Sequence, residues 1–124
     1  MSRSIDRGIK YALKAANFSS VPGRNKVGAA LFKGKSLLSL GWNSEKTHPQ
    51  STTRYHKHHA EFDCLIGTRK DDVVGATLFV VRITRKGSLG ISKPCEHCEK
   101  VIRAAGIRKV YYLDVDGNVT LMRL

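Results

Sequence analysis

The amino-acid sequence predicts a three-layer α/β/α fold with a five-stranded mixed sheet and an antiparallel hairpin at its C-terminal end. Helical and strand patterns follow one another in the order α-β-β-α-β-α-β-β, which is typical of a sheet covered by helices. The connection between the last two strands is too short for a crossover helix, so these strands must pair antiparallel. No repeat, low-complexity tract or linker divides the chain, and we expect one domain over residues 1–124.

The first half of the chain supplies a helix and a hairpin. The helix is predicted over 4–17, with a serine that can cap it and with these apolar residues on one face: Ile5, Ile9, Leu13 and Ala16. Two apolar runs, 26–32 and 36–40, are predicted strands joined by a tight turn. A polar loop over 44–57 follows, and a connection of that length without its own structure is usually functional or disordered.

The second half alternates between helices and strands. Its predicted elements are a helix from His59 to about Gly67, a turn over 71–75, a strand over 76–81, a basic loop over 82–93, a helix from Cys95 to about Ala105, a strand over 108–113 and a strand over 119–122. Gly106 ends the second helix, and Asp116-Gly117 marks the turn of the final hairpin.

Composition limits the classes of protein to consider. The net charge is +12, from 22 Lys and Arg against 10 Asp and Glu, and such a field attracts polyanions or phosphorylated small molecules. Three cysteines, two of them in C-x-x-C, indicate metal or redox chemistry in a reducing compartment rather than a disulfide scaffold. The chain has no apolar run of membrane-spanning length and no secretory signal pattern, so we expect a cytoplasmic protein that does not contact the membrane.

Two short motifs carry the chemistry. His59-Ala60-Glu61 is followed by Pro94 and the pair Cys95 and Cys98. One imidazole and two thiolates can hold Zn²⁺ and leave a fourth position for water, which distinguishes catalytic from structural zinc. Both motifs fall where helices begin, and the positive end of a helix dipole favours thiolates. The pattern H-x-E followed by P-C-x-x-C is the signature of zinc-dependent nucleobase deaminases.

Other interpretations of these cysteines remain open. C-x-x-C alone also fits a redox pair or half of a structural zinc site. A fourth protein ligand would close the site, and the candidates are His97, Cys64 and His58. The His-Ala-Glu motif in the same chain favours the catalytic interpretation.

The predicted reaction is hydrolytic deamination of a nucleobase. Zinc lowers the pKa of a coordinated water towards about 7. Glu61, which need not bind the metal, would take a proton from the water, pass it to ring N3 and protonate the departing amino group. The carbon attacked would be C4 of cytosine or C6 of adenine.

With these motifs the chain resembles the cytidine deaminase-like superfamily over nearly its whole length. The resemblance implies a cytidine deaminase-like fold, with His59, Cys95 and Cys98 as zinc ligands and Glu61 as the proton shuttle. It further implies substrate contacts from Asn43, after the second strand, and from the backbone of Ala60. Within the polar loop, Arg54 and Lys57 are candidates for binding a phosphate group.

The substrate class follows less directly. A histidine as first zinc ligand resembles the deoxycytidylate, tRNA-adenosine and polynucleotide branches, whereas a C-terminal hairpin resembles the free cytidine deaminases.

Our first hypothesis is a cytidine or deoxycytidylate-type enzyme that converts cytosine to uracil in a nucleoside or nucleotide. The second is an enzyme that edits single-stranded nucleic acid, which the net charge favours. The third is a zinc-stabilised, nucleic-acid-binding module that has lost turnover, against which the intact Glu61 argues. The resemblance also implies a homo-oligomer, a dimer or tetramer.

Overall fold

A computed structural model describes residues 3–18, 26–43, 68, 70–84, 89–94, 96–114 and 116–124. The helices in these ranges are α1 (Arg3–Ala16), α2 (Lys70–Val73) and α3 (Glu96–Ala104). The strands are β1 (Lys26–Lys33), β2 (Ser36–Trp42), β3 (Thr77–Ile83), β4 (Leu89–Gly90), β5 (Lys109–Leu113) and β6 (Val119–Arg123).

The strands form one mixed sheet in the order β2-β1-β3-β5-β6, and β4 pairs with β3 beside this path. β3 and β5 are parallel, while the pairs β1–β2, β1–β3, β3–β4 and β5–β6 are antiparallel. The predicted fold class and the C-terminal hairpin are confirmed. Over the described ranges the sheet has six strands rather than the predicted five, because the two-residue β4 is too short to produce an alternating pattern.

Helices cover both faces of the sheet. Along β3, successive side chains point to opposite faces, so Leu78 and Val80 belong to one core cluster and Phe79 and Val81 to the other. The first cluster packs against α3 through Ile102, and the second packs against α1. The chain is therefore layered as helix, sheet and helix.

α1 approaches the sheet through its smallest residues. A Cβ at Gly8 would overlap the ring of Phe79, and a Cβ at Gly28 of β1 would overlap the backbone of Ala12 and Ala16. On the predicted apolar face of the helix, Ala16 is confirmed as a buried residue. The other predicted members are only half-buried, and they are Ile5, Ile9 and Leu13. Small residues bring the two backbones together, which hydropathy alone does not reveal.

Candidate functional site

The carboxyl end of β3 gathers several segments that lie far apart in the sequence. Arg82 near that end pairs with Val27 at the start of β1, and Asn43 directly after β2 is hydrogen-bonded to Val27. Ser92, four residues before the α3 helix, is hydrogen-bonded to the carbonyl of Val80. We call the edge that contains Asn43, Arg82 and Ser92 the β3 carboxyl edge.

Asn43 is held by two hydrogen bonds to one residue of β1. Its backbone N–H donates to Val27 O at 3.1 Å, and its side-chain Oδ1 accepts from Val27 N–H at 2.9 Å. Because the amide oxygen is engaged in this way, the orientation of the Asn43 side chain is fixed by the backbone of β1. The structure thus places this predicted substrate contact at the β3 carboxyl edge.

Ser92 joins β3 and β5 where their direct pairing has ended. Its Oγ donates to Val80 O and accepts from Leu113 N–H, both at 2.8 Å, and its own N–H donates to Leu113 O at 3.0 Å. The residue is only 5% exposed. Loss of this hydroxyl would leave a carbonyl and an N–H buried without a partner, at a cost of about 1–3 kcal/mol for each group.

α3 holds Cys98 in its first turns. The residue is 2% exposed and belongs to the core cluster on that face of the sheet, together with Ile102 one turn further on. Pro94, which precedes the cysteine motif, is also buried. Core packing therefore determines where the Cys98 side chain lies.

The acidic residues of α3 are paired within the helix. Glu96 lies 3.8 Å from Lys100 and Glu99 lies 3.2 Å from Arg103, both at the i,i+4 spacing. Exposed pairs of this kind contribute only about 0.3–0.5 kcal/mol each. Within α3 the two glutamates and the two cations thus balance one another in charge.

Most of the predicted site lies outside the described residues. The residues concerned are Arg54, Lys57, His59, Ala60, Glu61 and Cys95. Within the described ranges no three metal-binding side chains come together, since Cys98 alone of the predicted zinc ligands falls inside them. The donor set of one imidazole and two thiolates fits zinc, and a buried cysteine near the start of a helix, after a buried proline, is a suitable member of it.

The sequence alone does not single out Ser92. It lies in a stretch rich in basic and small residues that was predicted as a loop, where a serine is ordinarily solvated. A signal was nonetheless present, because Ser92 stands two residues before Pro94 and three before the first cysteine. Only the pairing of distant strands shows that its hydroxyl is buried.

Comparison with known proteins agrees with the fold and with the family resemblance. A deoxycytidylate deaminase from Mycobacterium phage D29 is 27% identical in a match that covers 72% of this chain and 78% of the relative. A cytidine deaminase from Burkholderia pseudomallei superposes with a TM-score of 0.71 at 25% identity, covering 99% of this chain and 93% of that chain. The dCMP deaminase of cyanophage S-TIM5, solved in complex with dCMP and dUMP, gives a TM-score of 0.63 at 26% identity, covering 93% of this chain and 85% of that chain.

A family-level match completes the assignment. The sequence model described as the cytidine and deoxycytidylate deaminase zinc-binding region matches residues 2–114. This range contains both motifs, the segment around Ser92 and strands β1 to β5. The chain belongs to the cytidine and deoxycytidylate deaminase family.

Proposed function

We propose that this protein is a zinc-dependent deaminase that hydrolyses cytosine to uracil and ammonia in a nucleoside or nucleotide. The observation that carries the proposal is the complete set of His59, Glu61, Cys95 and Cys98 in a chain of this family. The relatives are named for cytosine monomers, and one of them was solved with dCMP and dUMP, which are a cytosine nucleotide and its deaminated counterpart. The net charge of +12 suits a substrate that carries phosphate.

Each residue of the proposed site has a distinct role. His59, Cys95 and Cys98 would hold zinc, which supplies an acidified water when bound. Glu61 would accept one proton from that water and deliver it to N3 of the base. It would then take the second proton from the hydroxyl group now on C4 and give it to the amino group, which leaves C4 as ammonia. The atoms balance as cytosine plus water giving uracil plus ammonia.

The substrate would be oriented by groups around this centre. Asn43, fixed by Val27, would contact the sugar or the base, and the backbone of Ala60 would contact the edge of the base. Arg54 and Lys57 would bind a phosphate group through charge-assisted hydrogen bonds.

Editing of single-stranded nucleic acid is the second candidate, and the net charge is the observation that favours it. The placement of the α1 cations weakens it. Arg7, Lys10 and Lys14 are exposed on α1, which packs on the opposite face of the sheet from Cys98. These charges do not line a path to the cysteine side of the sheet.

The proposal extends to the cellular location of the enzyme and to its assembly. No helix in the described ranges combines the length and the apolar character needed to cross a bilayer. Thiolate ligands require reducing conditions, so we place the enzyme in the cytoplasm. We further propose that it assembles as a dimer or tetramer, as the resemblance implies.

A competition assay tests the proposed reaction. Zinc-loaded protein would receive deoxycytidine, dCMP, dCTP and a cytosine-containing single-stranded oligonucleotide together, and mass spectrometry would follow each conversion of amino to oxo group. We expect conversion of at least one monomer and none of the oligonucleotide. Conversion of the oligonucleotide alone would establish the second candidate instead. A zinc-loaded protein that converts none of the four would contradict both.

Glu61→Gln separates proton transfer from metal binding. Because Glu61 moves protons and does not bind zinc, we expect kcat to fall by about 10²–10⁴ while the zinc content stays at the wild-type level. The same carboxylate-to-amide change at the exposed Asp72 of α2 is the control, and it should leave kcat unchanged. Loss of zinc from Glu61→Gln would show that the carboxylate is a ligand and contradict its role as proton shuttle.

A further inference from the structure

The direct pairing of the parallel strands β3 and β5 stops before either strand ends. Their register runs from Thr77 opposite Lys109 to Phe79 opposite Tyr111. Beyond this point the strands are joined through Ser92, which bonds Val80 on one side and Leu113 on the other. Ser92, which comes from the segment between β4 and α3, is thus inserted between the two strands.

The Ser92 hydroxyl fits this position because it both donates and accepts. It donates to the Val80 carbonyl and accepts from the Leu113 N–H, at 2.8 Å in each case. Among the described residues Ser92 is the only buried polar side chain. An alanine would fill the space but could satisfy neither group.

The chain runs directly from this point to the first cysteine of the motif. Only Lys93 and Pro94 separate Ser92 from Cys95. A fully extended chain spans at most about 3.6 Å per residue, so a connection of this length can span at most about 11 Å. The fixed φ angle of Pro94 and its burial restrict this short connection further.

The second cysteine is held in a different way. Cys98 lies in the core cluster beside Ile102, so its position depends on the packing of α3 against the sheet. The chain is therefore attached to the fold on both sides of Cys95, by the Ser92 hydrogen bonds three residues before it and by the packing of α3 after it.

We infer that Ser92 is a positioning residue for the Cys95 thiolate: by fixing the segment before Pro94 between β3 and β5, it sets where Cys95 meets the metal that Cys98 also binds. The inference rests on the proposed zinc site. Residues that orient metal ligands without touching the metal typically change metal affinity by about 10–100-fold when they are removed. A residue that served the sheet alone would change the stability of the fold without a selective change in zinc affinity.

The first experiment compares Ser92→Ala with Val81→Ala in the full-length protein. Val81 is a fully buried neighbour on β3 whose side chain faces α1, so its truncation weakens the core on the side away from the cysteines. Zinc affinity would be measured by competition with a chromophoric chelator, and stability by urea unfolding of the metal-free proteins. We expect a 10–100-fold rise in the zinc Kd for Ser92→Ala and a change of less than about threefold for Val81→Ala. Ser92→Thr, which keeps the hydroxyl, should restore most of the affinity.

A second variant tests the connection without removing the hydroxyl. One glycine inserted between Ser92 and the exposed Lys93 keeps the three hydrogen bonds of Ser92 but lengthens the path to Cys95. We expect wild-type stability of the metal-free protein together with a zinc Kd raised about 10-fold or more. The insertion variant tests the positioning role of Ser92 even if Ser92→Ala does not fold.

The outcomes separate this inference from the proposed function. A wild-type protein that binds zinc, together with an insertion variant that binds it equally well, would overturn the positioning role and leave Ser92 as a structural residue of the sheet. A wild-type protein that binds no zinc would overturn the proposed function, and the inference with it.

Discussion

At the scale of single residues, Gly28 shows how closely α1 packs on the sheet. A Cβ at this position would meet the carbonyl oxygen of Ala12 and the backbone of Ala16, neither of which can move away as a flexible side chain would. The contact joins the last two turns of the helix to β1. The absence of a side chain at Gly28 is therefore a requirement of packing, not of backbone conformation.

Gly28→Ala should destabilise the protein by about 1–3 kcal/mol, because an added methyl group in a close-packed contact forces the helix away from the sheet. Urea unfolding followed by circular dichroism measures the change. Gly34→Asn is the control, since Gly34 lies in the β1–β2 turn with φ of 60° and nothing within 4 Å of its Cβ position. Asparagine tolerates that conformation, and the loss should stay below about 1 kcal/mol. Equal losses at the two sites would contradict the packing argument.

Residues with a chemical signature can be proposed from the sequence, whereas residues with a purely spatial role cannot. The spacing from Cys95 and the preceding proline select Cys98, which the structure places on a helix beside the sheet, and its role as a zinc ligand stays a prediction. Asn43 was identified only through the family resemblance. Ser92 was missed because its role depends on Val80 and Leu113, which are distant in the sequence.

At the scale of elements, the β5–β6 hairpin depends on one carboxylate. Asp114 Oδ1 accepts hydrogen bonds from the backbone N–H groups of Asp116 and Asn118, both at 2.9 Å. Its Oδ2 lies 3.4 Å from the hydroxyl of Thr120 in β6. The sequence predicted this turn from Asp116-Gly117, but the side chain that closes it is the preceding aspartate.

Asp114→Ala should cost about 1–2 kcal/mol, because two turn N–H groups lose a charged acceptor that water replaces only in part. Urea unfolding gives the overall loss, and amide hydrogen exchange in β6 should speed up selectively. Asp116→Ala removes an exposed carboxylate from the same turn and is expected to change stability by less than about 0.5 kcal/mol. A larger effect at Asp116 than at Asp114 would contradict this account of the hairpin.

The strands were predicted within a few residues because their apolar runs and turn residues are local signals. β1, β2, β5 and β6 all lie close to their expected ranges. The two-residue β4 and the four-residue α2 were not predicted, since elements this short contain less than one period of any pattern. The predicted helix that begins at His59 lies outside the described residues and stays a prediction.

At the scale of the whole molecule, charge is distributed unevenly between the two helical layers. The exposed cations of α1 share one side of the helix at spacings of three and four residues, and they are Arg7, Lys10 and Lys14. In α3, by contrast, both cations in the helix are paired with glutamates. The sheet separates the α1 cations from the cysteine side of the fold.

The double variant Lys10→Glu/Lys14→Glu should leave kcat/KM for a cytosine nucleotide within about twofold at 0.15 M salt, because charges act over a Debye length of only about 8 Å at that ionic strength. Arg108→Glu/Lys109→Glu is the matched control, since it reverses two exposed cations at the start of β5 and lowers the net charge of +12 by the same amount. Steady-state assays across a range of salt concentrations measure both. A loss of tenfold or more in the α1 variant alone would show that its cations face the substrate.

The fold class could be predicted from the sequence because it depends on the order of the helices and strands and on the short connection between the last two strands. The order of strands in the sheet could not, because β3 joins β1 and β5 through pairing between segments far apart in the chain. Alternation of apolar residues shows that a segment is a strand but does not identify its neighbours. The meeting of Asn43, Arg82 and Ser92 at the β3 carboxyl edge cannot be predicted for the same reason.

The central place of β3 has a consequence for the order of folding. The β1–β2 and β5–β6 hairpins each close a short loop and can form early, whereas β3 must close a long loop on either side before it joins them. Ser92 finds its partners only when β3 and β5 have already met. The proposed zinc site should therefore be completed only at the end of folding, so that zinc would stabilise an already assembled sheet instead of nucleating it.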